Sequence, residues 1–198
     1  MTILISLIIF LSAVIIHEYC HGWVAYKLGD PTAKYAGRLT LNPIEHIDPV
    51  GTILLPIMLI IIRSPVIFGW AKPVPVNFWN LHNPRRDMIW VGLAGPLANF
   101  LLAAIASRLL HLPIPEFFRE IALSVVMINL VFAVFNLMPI PPLDGSRVVS
   151  GLLPYEYARA YNEFERYGVL VIFLLLFMGF FDRVVWPLVA ILASLLGV

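Results

Sequence analysis

The residues best suited to chemistry are His17, Glu18 and His21, which form an HExxH motif near the N-terminus. Residues four apart lie on one face of a helix, about one turn from each other, so both imidazoles can reach one point with Glu18 beside them. Two imidazoles, a third protein ligand and a water form an open catalytic zinc site, and a neighbouring glutamate can accept the proton of that water. The motif therefore predicts half of a zinc site.

The surroundings of the motif make a chance match a poor explanation. In residues 1–25 the only other ionisable side chains are those of the weakly acidic Tyr19 and Cys20. Polar groups in such an apolar segment are costly and are usually functional. Cys20 is an alternative third ligand, but its position between the two histidines favours the role of a small buried apolar residue.

Composition identifies the class of protein. The chain has 198 residues, of which 61% are hydrophobic and only 13% are charged, a balance typical of a polytopic membrane protein. A net charge of +1 provides no basic field for nucleic acid, and a single cysteine excludes an internal disulfide framework. The N-terminus lacks the features of a cleaved signal peptide, so we expect residues 1–27 to be retained as a membrane span.

Hydropathy predicts an all-α polytopic membrane protein with about five to six transmembrane helices in one domain, residues 1–198. Runs long enough to cross a hydrocarbon core about 30 Å thick lie at 2–25, 88–110 and 121–137. Two shorter runs within about 164–198 predict a closing helical hairpin. Residues 34–41 alternate weakly, which indicates a small β-hairpin or strand after the first helix, with an ordinary surface loop as the alternative.

A second candidate region follows the span that ends at Leu137. The proline-rich residues 138–144 stop the helix, and irregular backbone at membrane depth requires protein or a water-filled cavity around it. We therefore expect Asp144 to supply the missing carboxylate ligand, with a simple turn aspartate as the alternative. Asn129 and Asn136 lie seven residues apart on one helix face, and we expect them to line a path for water.

Small residues mark the span at residues 88–110. Gly92 and Gly95 let helix backbones approach closely, so packing is their expected role. Asn99, on the same helix, is expected to bond a neighbouring helix rather than a substrate.

Three motifs in order closely resemble those of the site-2 protease family of intramembrane zinc metalloproteases. They are HExxH at residues 17–21, Gly95-Pro96-x-x-Asn99, and Asn136-x-x-Pro139-x-x-Pro142-Leu143-Asp144-Gly145. The resemblance covers about residues 12–150. Residues 68–77 look like a short bacterial branch of the family that lacks extra soluble modules, and the chain has no room for an inserted PDZ domain.

The resemblance implies both a site and an activity. It makes His17, His21 and Asp144 the ligands of one Zn²⁺ ion and Glu18 the general base. It makes Asn136 a residue near the metal that helps to hold the scissile carbonyl. The implied reaction is hydrolysis of a peptide bond in or near a transmembrane segment of a membrane protein substrate, within the lipid bilayer, as in regulated intramembrane proteolysis.

Two further interpretations accompany this one. A strand edge at residues 38–42 would pair with an unwound substrate segment by β-augmentation. A membrane metal-binding or transport protein that uses the same ligands is the alternative function, and it would require further ionisable groups along a pathway.

Topology follows from the requirement that both halves of the site reach one metal. The first span and the span at 121–137 must end on the same side, which holds if residues 53–62 are re-entrant rather than a full crossing. That arrangement places ten of the 13 Lys and Arg residues on one side and leaves Arg108, Arg119 and Arg183 on the other. Because cytoplasmic loops carry excess positive charge, we expect the N-terminus outside the cell membrane and the site nearer the cytoplasmic face.

Overall fold

The computed structural model describes residues 3–63 and 71–198, and its regular structure within those ranges is helical. The α-helices are α1 Ile3–Lys27, α2 Thr32–Tyr35, α3 Leu55–Ile61, α4 Pro84–Leu109, α5 Glu116–Asn136, α6 Asp144–Leu152, α7 Tyr155–Glu163, α8 Glu165–Phe177 and α9 Trp186–Leu195. Helical turns of other types lie at Pro43–His46, Pro49–Leu54, Phe78–Asn80 and Phe181–Val185. Residues 68–70, the start of the motif at 68–77, lie outside the described residues.

Three helices have the length and apolar composition to cross a membrane: α1, α4 and α5. The 25 residues of α1 extend about 38 Å, more than the thickness of a hydrocarbon core. Helix α8 and the helical segment Phe181–Leu195 are long and apolar enough to cross only when taken together, and they are bent by 76° at the break between them. The all-helical, multi-pass character is confirmed. The predicted five to six transmembrane helices are not, since the described chain supplies three, or four with the bent pair.

Helix α5 illustrates how the bundle packs. Its buried residues recur every three or four positions and form one stripe, namely Ala122, Val126, Asn129, Leu130, Ala133 and Val134. The small residues Ala103 and Ala106 of α4 lie against this stripe, so the two backbones approach closely. Val185 and Val189, at the start of the last helical segment, complete the main apolar core.

The predicted β-hairpin at residues 34–41 is wrong, because these described residues contain no strand. Asp30 accepts hydrogen bonds from the N–H and the hydroxyl of Thr32 and so starts the helical turn α2. Gly37, at φ +68°, ends that turn, and the N–H of Arg38 bonds back into it at 2.8 Å. Such local bonds occupy the N–H groups of residues 35–38, which a strand would offer to a partner. The strand edge postulated for substrate binding therefore lacks its basis.

The segment between α1 and α4 returns to the place where it leaves the bundle. Leu28, just after α1, accepts a 2.9 Å hydrogen bond from the N–H of His82, just before α4. The C-terminal end of α1 and the N-terminal end of α4 therefore lie on the same side. Within the segment, the apolar helix Pro49–Ile61 is shorter than a membrane span. A re-entrant path for residues 53–62 stays a prediction that this geometry favours.

Cysteine labelling tests this path. Single cysteines at the exposed positions Asn42, Asn80, Glu116 and Glu156 are introduced into a Cys20→Ser background and treated with an impermeant thiol reagent from each side. We expect positions 42, 80 and 156 to label from one side and position 116 from the other. Positions 42 and 80 flank the short apolar helix, so their labelling from opposite sides would show that it crosses the membrane.

Candidate metal centre

Three side-chain atoms meet inside the helix bundle: Nε2 of His17, Nε2 of His21 and Oδ2 of Asp144. The two Nε2 atoms are 3.0 Å apart, and Oδ2 lies 2.9 Å from His17 and 3.2 Å from His21. Both histidines are buried, with 3% and 8% of their surface exposed. The structure thus brings together the three residues predicted to bind metal. It contains no second group of this kind in the described ranges.

Two elements position these side chains. His17 and His21 lie one turn apart in the C-terminal half of α1, so their rings project from the same face. Asp144 is the first residue of α6. That helix begins where the turn after α5 closes through a 2.8 Å hydrogen bond from the N–H of Leu143 to the carbonyl of Ile140. The proline-rich stretch therefore returns the chain to α1 at the level of the two histidines.

Asn99 of α4 determines which nitrogen of His17 carries the hydrogen. The Asn99 Nδ2 donates to the carbonyl of Ala13 at 3.1 Å and to Oδ1 of Asn129 at 2.8 Å, which orients the amide. The Asn99 Oδ1 therefore faces Nδ1 of His17, 2.6 Å away, and can only accept. Hence Nδ1 carries the hydrogen, and the lone pair of Nε2 points at the cluster.

A backbone carbonyl has the same effect on His21. The Val91 oxygen lies 2.6 Å from Nδ1 of His21 and can only accept, so Nδ1 carries the hydrogen there too. Gly95, one turn further along α4, leaves room for the rings, because a Cβ atom at this position would lie 2.6 Å from Nε2 of His17. One face of α4, with Val91, Gly95 and Asn99 four residues apart, thus lies directly against the two imidazoles.

The set of donor atoms fits a divalent metal ion. With the hydrogens on both Nδ1 atoms, three lone-pair atoms face one another with no hydrogen between them. The buried Oδ2 of Asp144 has no hydrogen-bond partner. Such an arrangement is costly unless a cation lies among the atoms. Two imidazoles and a carboxylate are a known ligand set for catalytic zinc, with a fourth position open to water or substrate.

The sequence also indicated Glu18, Cys20 and Asn136 as candidate site residues. Glu18 is half-buried, and its Oε2 accepts a 2.7 Å hydrogen bond from the N–H of Val74. Cys20 is half-buried and is not a member of the three-residue cluster. Asn136 donates from Nδ2 to the carbonyl of Phe132 at 3.0 Å, so this hydrogen bond stays within α5.

The two other asparagines have roles that the sequence revealed only in part. Asn99 bonds neighbouring helices, as predicted, but its contact with His17 was not foreseen. The four-residue spacing of Gly95 and Asn99 was the available signal, since it puts both on one face. The prediction that Asn129 lines a water path is wrong. The Asn129 side chain is 2% exposed, and its amide is engaged by Asn99 and by the carbonyl of Val125.

Comparison with known proteins gives a consistent result. Residues 114–179 match peptidase family M50. YwhC of Bacillus subtilis is 40% identical over 87% of this chain and 80% of its own length. Rip2 of Mycobacterium tuberculosis is 32% identical over 89% of this chain and 70% of its own length. Both relatives carry the name "Putative zinc metalloprotease". No solved structure matches the chain significantly.

The ligand set predicts how metal content responds to substitution. Asp144→Ala removes one of the three predicted ligand atoms, so we expect the purified variant to contain clearly less zinc than the wild type. Cys20→Ser is the control and should keep its zinc. Metal analysis of the two proteins decides between the candidates, because loss of zinc from Cys20→Ser would put the thiol in the ligand set.

The hydrogen bond from His17 to Asn99 predicts an effect on affinity. Asn99→Leu removes the acceptor that holds Nδ1–H of His17, and loss of such a bond behind a ligand costs about 10- to 100-fold in metal affinity. Competition with a chelator measures this change, and circular dichroism checks that the helices persist. Asn136→Leu, a change outside the network, should leave zinc affinity unaltered. Equal affinities for all three proteins would contradict the role of Asn99.

Proposed function

The chain belongs to peptidase family M50 and is a zinc metallopeptidase, and on this premise we propose that it cleaves peptide bonds in or near transmembrane segments of membrane proteins. The depth of the cluster carries the proposal. His17 lies about 15 Å along α1 from its last residue, Lys27, and about 21 Å from its first, Ile3. For a helix that crosses a hydrocarbon core about 30 Å thick, this position is close to the middle of the core. A site at that depth is suited to bonds that lie within the membrane.

We assign the reaction to four side chains. His17, His21 and Asp144 would hold the zinc ion. When bound, zinc supplies a Lewis acid that polarises a carbonyl and acidifies a water molecule. Glu18 accepts the proton of the attacking water and returns it to the leaving amine. The bond from Val74 occupies Oε2 of Glu18, and the other carboxylate oxygen retains acceptor capacity for this task.

Asn136 is proposed to hold the scissile carbonyl. It is the last residue of α5, so it lies just before the turn that carries Asp144 to the cluster. One of its two amide hydrogens bonds the carbonyl of Phe132, and the second is available to a substrate oxygen. A donor of this kind stabilises charge that develops on the carbonyl during hydrolysis.

We propose the orientation as well. The chain is a multi-pass membrane protein, and the N-terminus is assigned to the outside, with the cluster nearer the cytoplasmic face. The uneven distribution of Lys and Arg supports this assignment. The hydrogen bond between Leu28 and His82 adds support, because it keeps the ends of the positively charged loop between α1 and α4 on one side.

Metal transport is the weaker alternative. A transport path requires a series of ionisable groups across the membrane. In α4 and α5 the charged residues lie only near the helix ends, at Arg85, Arg86, Asp87, Arg108, Glu116, Arg119 and Glu120. A glutamate adjacent to the ligands is also unnecessary for metal binding alone, whereas hydrolysis requires a base.

Glu18→Gln tests the proposed reaction. The ligands remain, so we expect the variant to keep its zinc, while loss of the base lowers the rate about 10²- to 10⁴-fold. Zinc analysis and cleavage assays are carried out on the same purified protein. Glu45→Gln changes an exposed glutamate away from the cluster and should behave like the wild type. If Glu18→Gln loses zinc together with activity, Glu18 is a ligand or a structural residue.

The same variant identifies the substrates. Membrane-protein fragments produced by this enzyme should be present in native cells and absent from cells that carry Glu18→Gln. If every fragment that vanishes derives from soluble regions remote from transmembrane segments, the enzyme is not an intramembrane protease.

A further inference from the structure

The partner of Glu18 is a backbone amide in the middle of a short segment, residues 72–77, which we name the strap. Pro73 and Pro75 flank Val74 in the strap. Proline has no N–H and biases the residue before it towards extended backbone. Val74 is therefore the only one of these three residues that can donate, and its N–H bonds Oε2 of Glu18 at 2.7 Å.

Both ends of the strap are anchored by the loop that follows α1. At one end, Lys72 donates its N–H to the carbonyl of His46 at 3.0 Å and accepts a 2.6 Å hydrogen bond from Nη2 of Arg38. At the other end, Asn77 donates its N–H to Oδ2 of Asp30 at 2.7 Å. The strap is thus held at both ends and touches Glu18 at its centre.

The anchors are buried and charged, which is unusual for a connecting loop. Arg38 is 4% exposed, and its Nε is buried without a hydrogen-bond partner. Asp30 is fully buried. Although burial raises the pKa of its carboxyl group, hydrogen bonds from Thr32, Asn80 and Asn77 lower that pKa below its ordinary value overall. Buried charges are costly unless they are bonded. Their use here to hold the strap indicates that the position of the strap is important.

Helix α1 has a matching feature on the same face as Glu18. Gly22 lies one turn further along, and a Cβ atom there would lie 2.9 Å from Cγ1 of Val74. The glycine lets the strap lie directly against α1, with the Val74 side chain 7% exposed. A larger residue at position 22 would push the Val74 amide away from the carboxylate.

We propose that Arg38 and Asp30 are positioning residues for the reaction. By clamping the strap, they hold the Val74 N–H where it fixes the orientation of the Glu18 carboxylate beside the metal ligands. The inference rests on the proposed function, because it takes Glu18 to be the base. It adds that the loop after α1 determines the orientation of the Glu18 carboxylate.

Paired proline substitutions test the central contact. Val74→Pro removes the N–H that donates to Glu18. Val76→Pro is the matched control, because it introduces a proline into the same strap at a position whose N–H makes no hydrogen bond in the described structure. The probe is a short fluorogenic apolar peptide in detergent micelles. We expect Val74→Pro to lower kcat about tenfold or more, since full loss of a base costs about 10²- to 10⁴-fold. KM and zinc content should stay unchanged, and Val76→Pro should remain within about twofold of the wild type.

A second set of variants tests the clamp. Arg38→Ala should lower kcat in the same way and should speed amide hydrogen exchange in the strap. Arg38→Lys should restore most of the kcat and most of the protection from exchange. Lys34→Ala, an exposed change in the same loop, is the control. Faster exchange with unaltered kcat, unaltered exchange, or a rise in kcat would each overturn the inference. A rise in kcat would mean that the strap obstructs the site.

The results also separate this inference from the proposed function. If Glu18→Gln still cleaves the peptide, the assignment of the base is wrong whatever the strap variants do. If Glu18→Gln is inactive with zinc bound while Val74→Pro and Arg38→Ala match the wild type, only the positioning role is wrong. Zinc lost from Val74→Pro, or equal losses of kcat in the two proline variants, would make the strap a purely structural element.

Discussion

The structure depends on the burial of three predicted ligand atoms within an apolar helix bundle. Nε2 of His17, Nε2 of His21 and Oδ2 of Asp144 lie about 3 Å apart, where water does not offset their mutual repulsion. The arrangement is favourable only if every other polar atom of these residues is bonded within the protein and a cation joins the three. The hydrogen bonds from Nδ1 of each histidine meet the first condition for the two imidazoles, and a bound divalent cation would meet the second.

Helix α4 is the element that satisfies these demands. Its face at Val91, Gly95 and Asn99 supplies an acceptor to each imidazole and, at the glycine, the space in which the rings lie. The same helix packs against α5 through small residues, and Asn99 bonds α5 through Asn129. Packing and the orientation of the two imidazoles are therefore coupled. A change that shifts α4 against its neighbours alters the direction of the imidazoles as well as the stability of the bundle.

The loop after α1 extends this coupling to Glu18, the proposed base. A soluble enzyme can orient a catalytic carboxylate with water or with a side chain from a rigid core. At membrane depth, backbone groups outside helices are tolerated only where the protein bonds them. At the centre of the strap, prolines remove two donors, and Glu18 accepts the hydrogen bond of the donor between them. One contact thus satisfies a backbone N–H and orients a carboxylate.

The sequence by itself determined the features that depend on local patterns. Apolar runs located α1, α4 and α5, the HExxH spacing placed His17 and His21 on one face, and the prolines before Asp144 marked the end of α5. These predictions succeed because length, periodicity and missing N–H groups act within a few turns of chain. The strand prediction at residues 34–41 failed because local hydrogen bonds around Asp30 and Gly37 outweighed a weak alternation.

Only the tertiary structure decided that Asn99 and the Val91 carbonyl set the tautomers of the two histidines and that Val74 bonds Glu18. Those contacts join residues that are far apart in sequence. Which residues pair is determined by how α1, α4 and the strap pack, not by any local pattern.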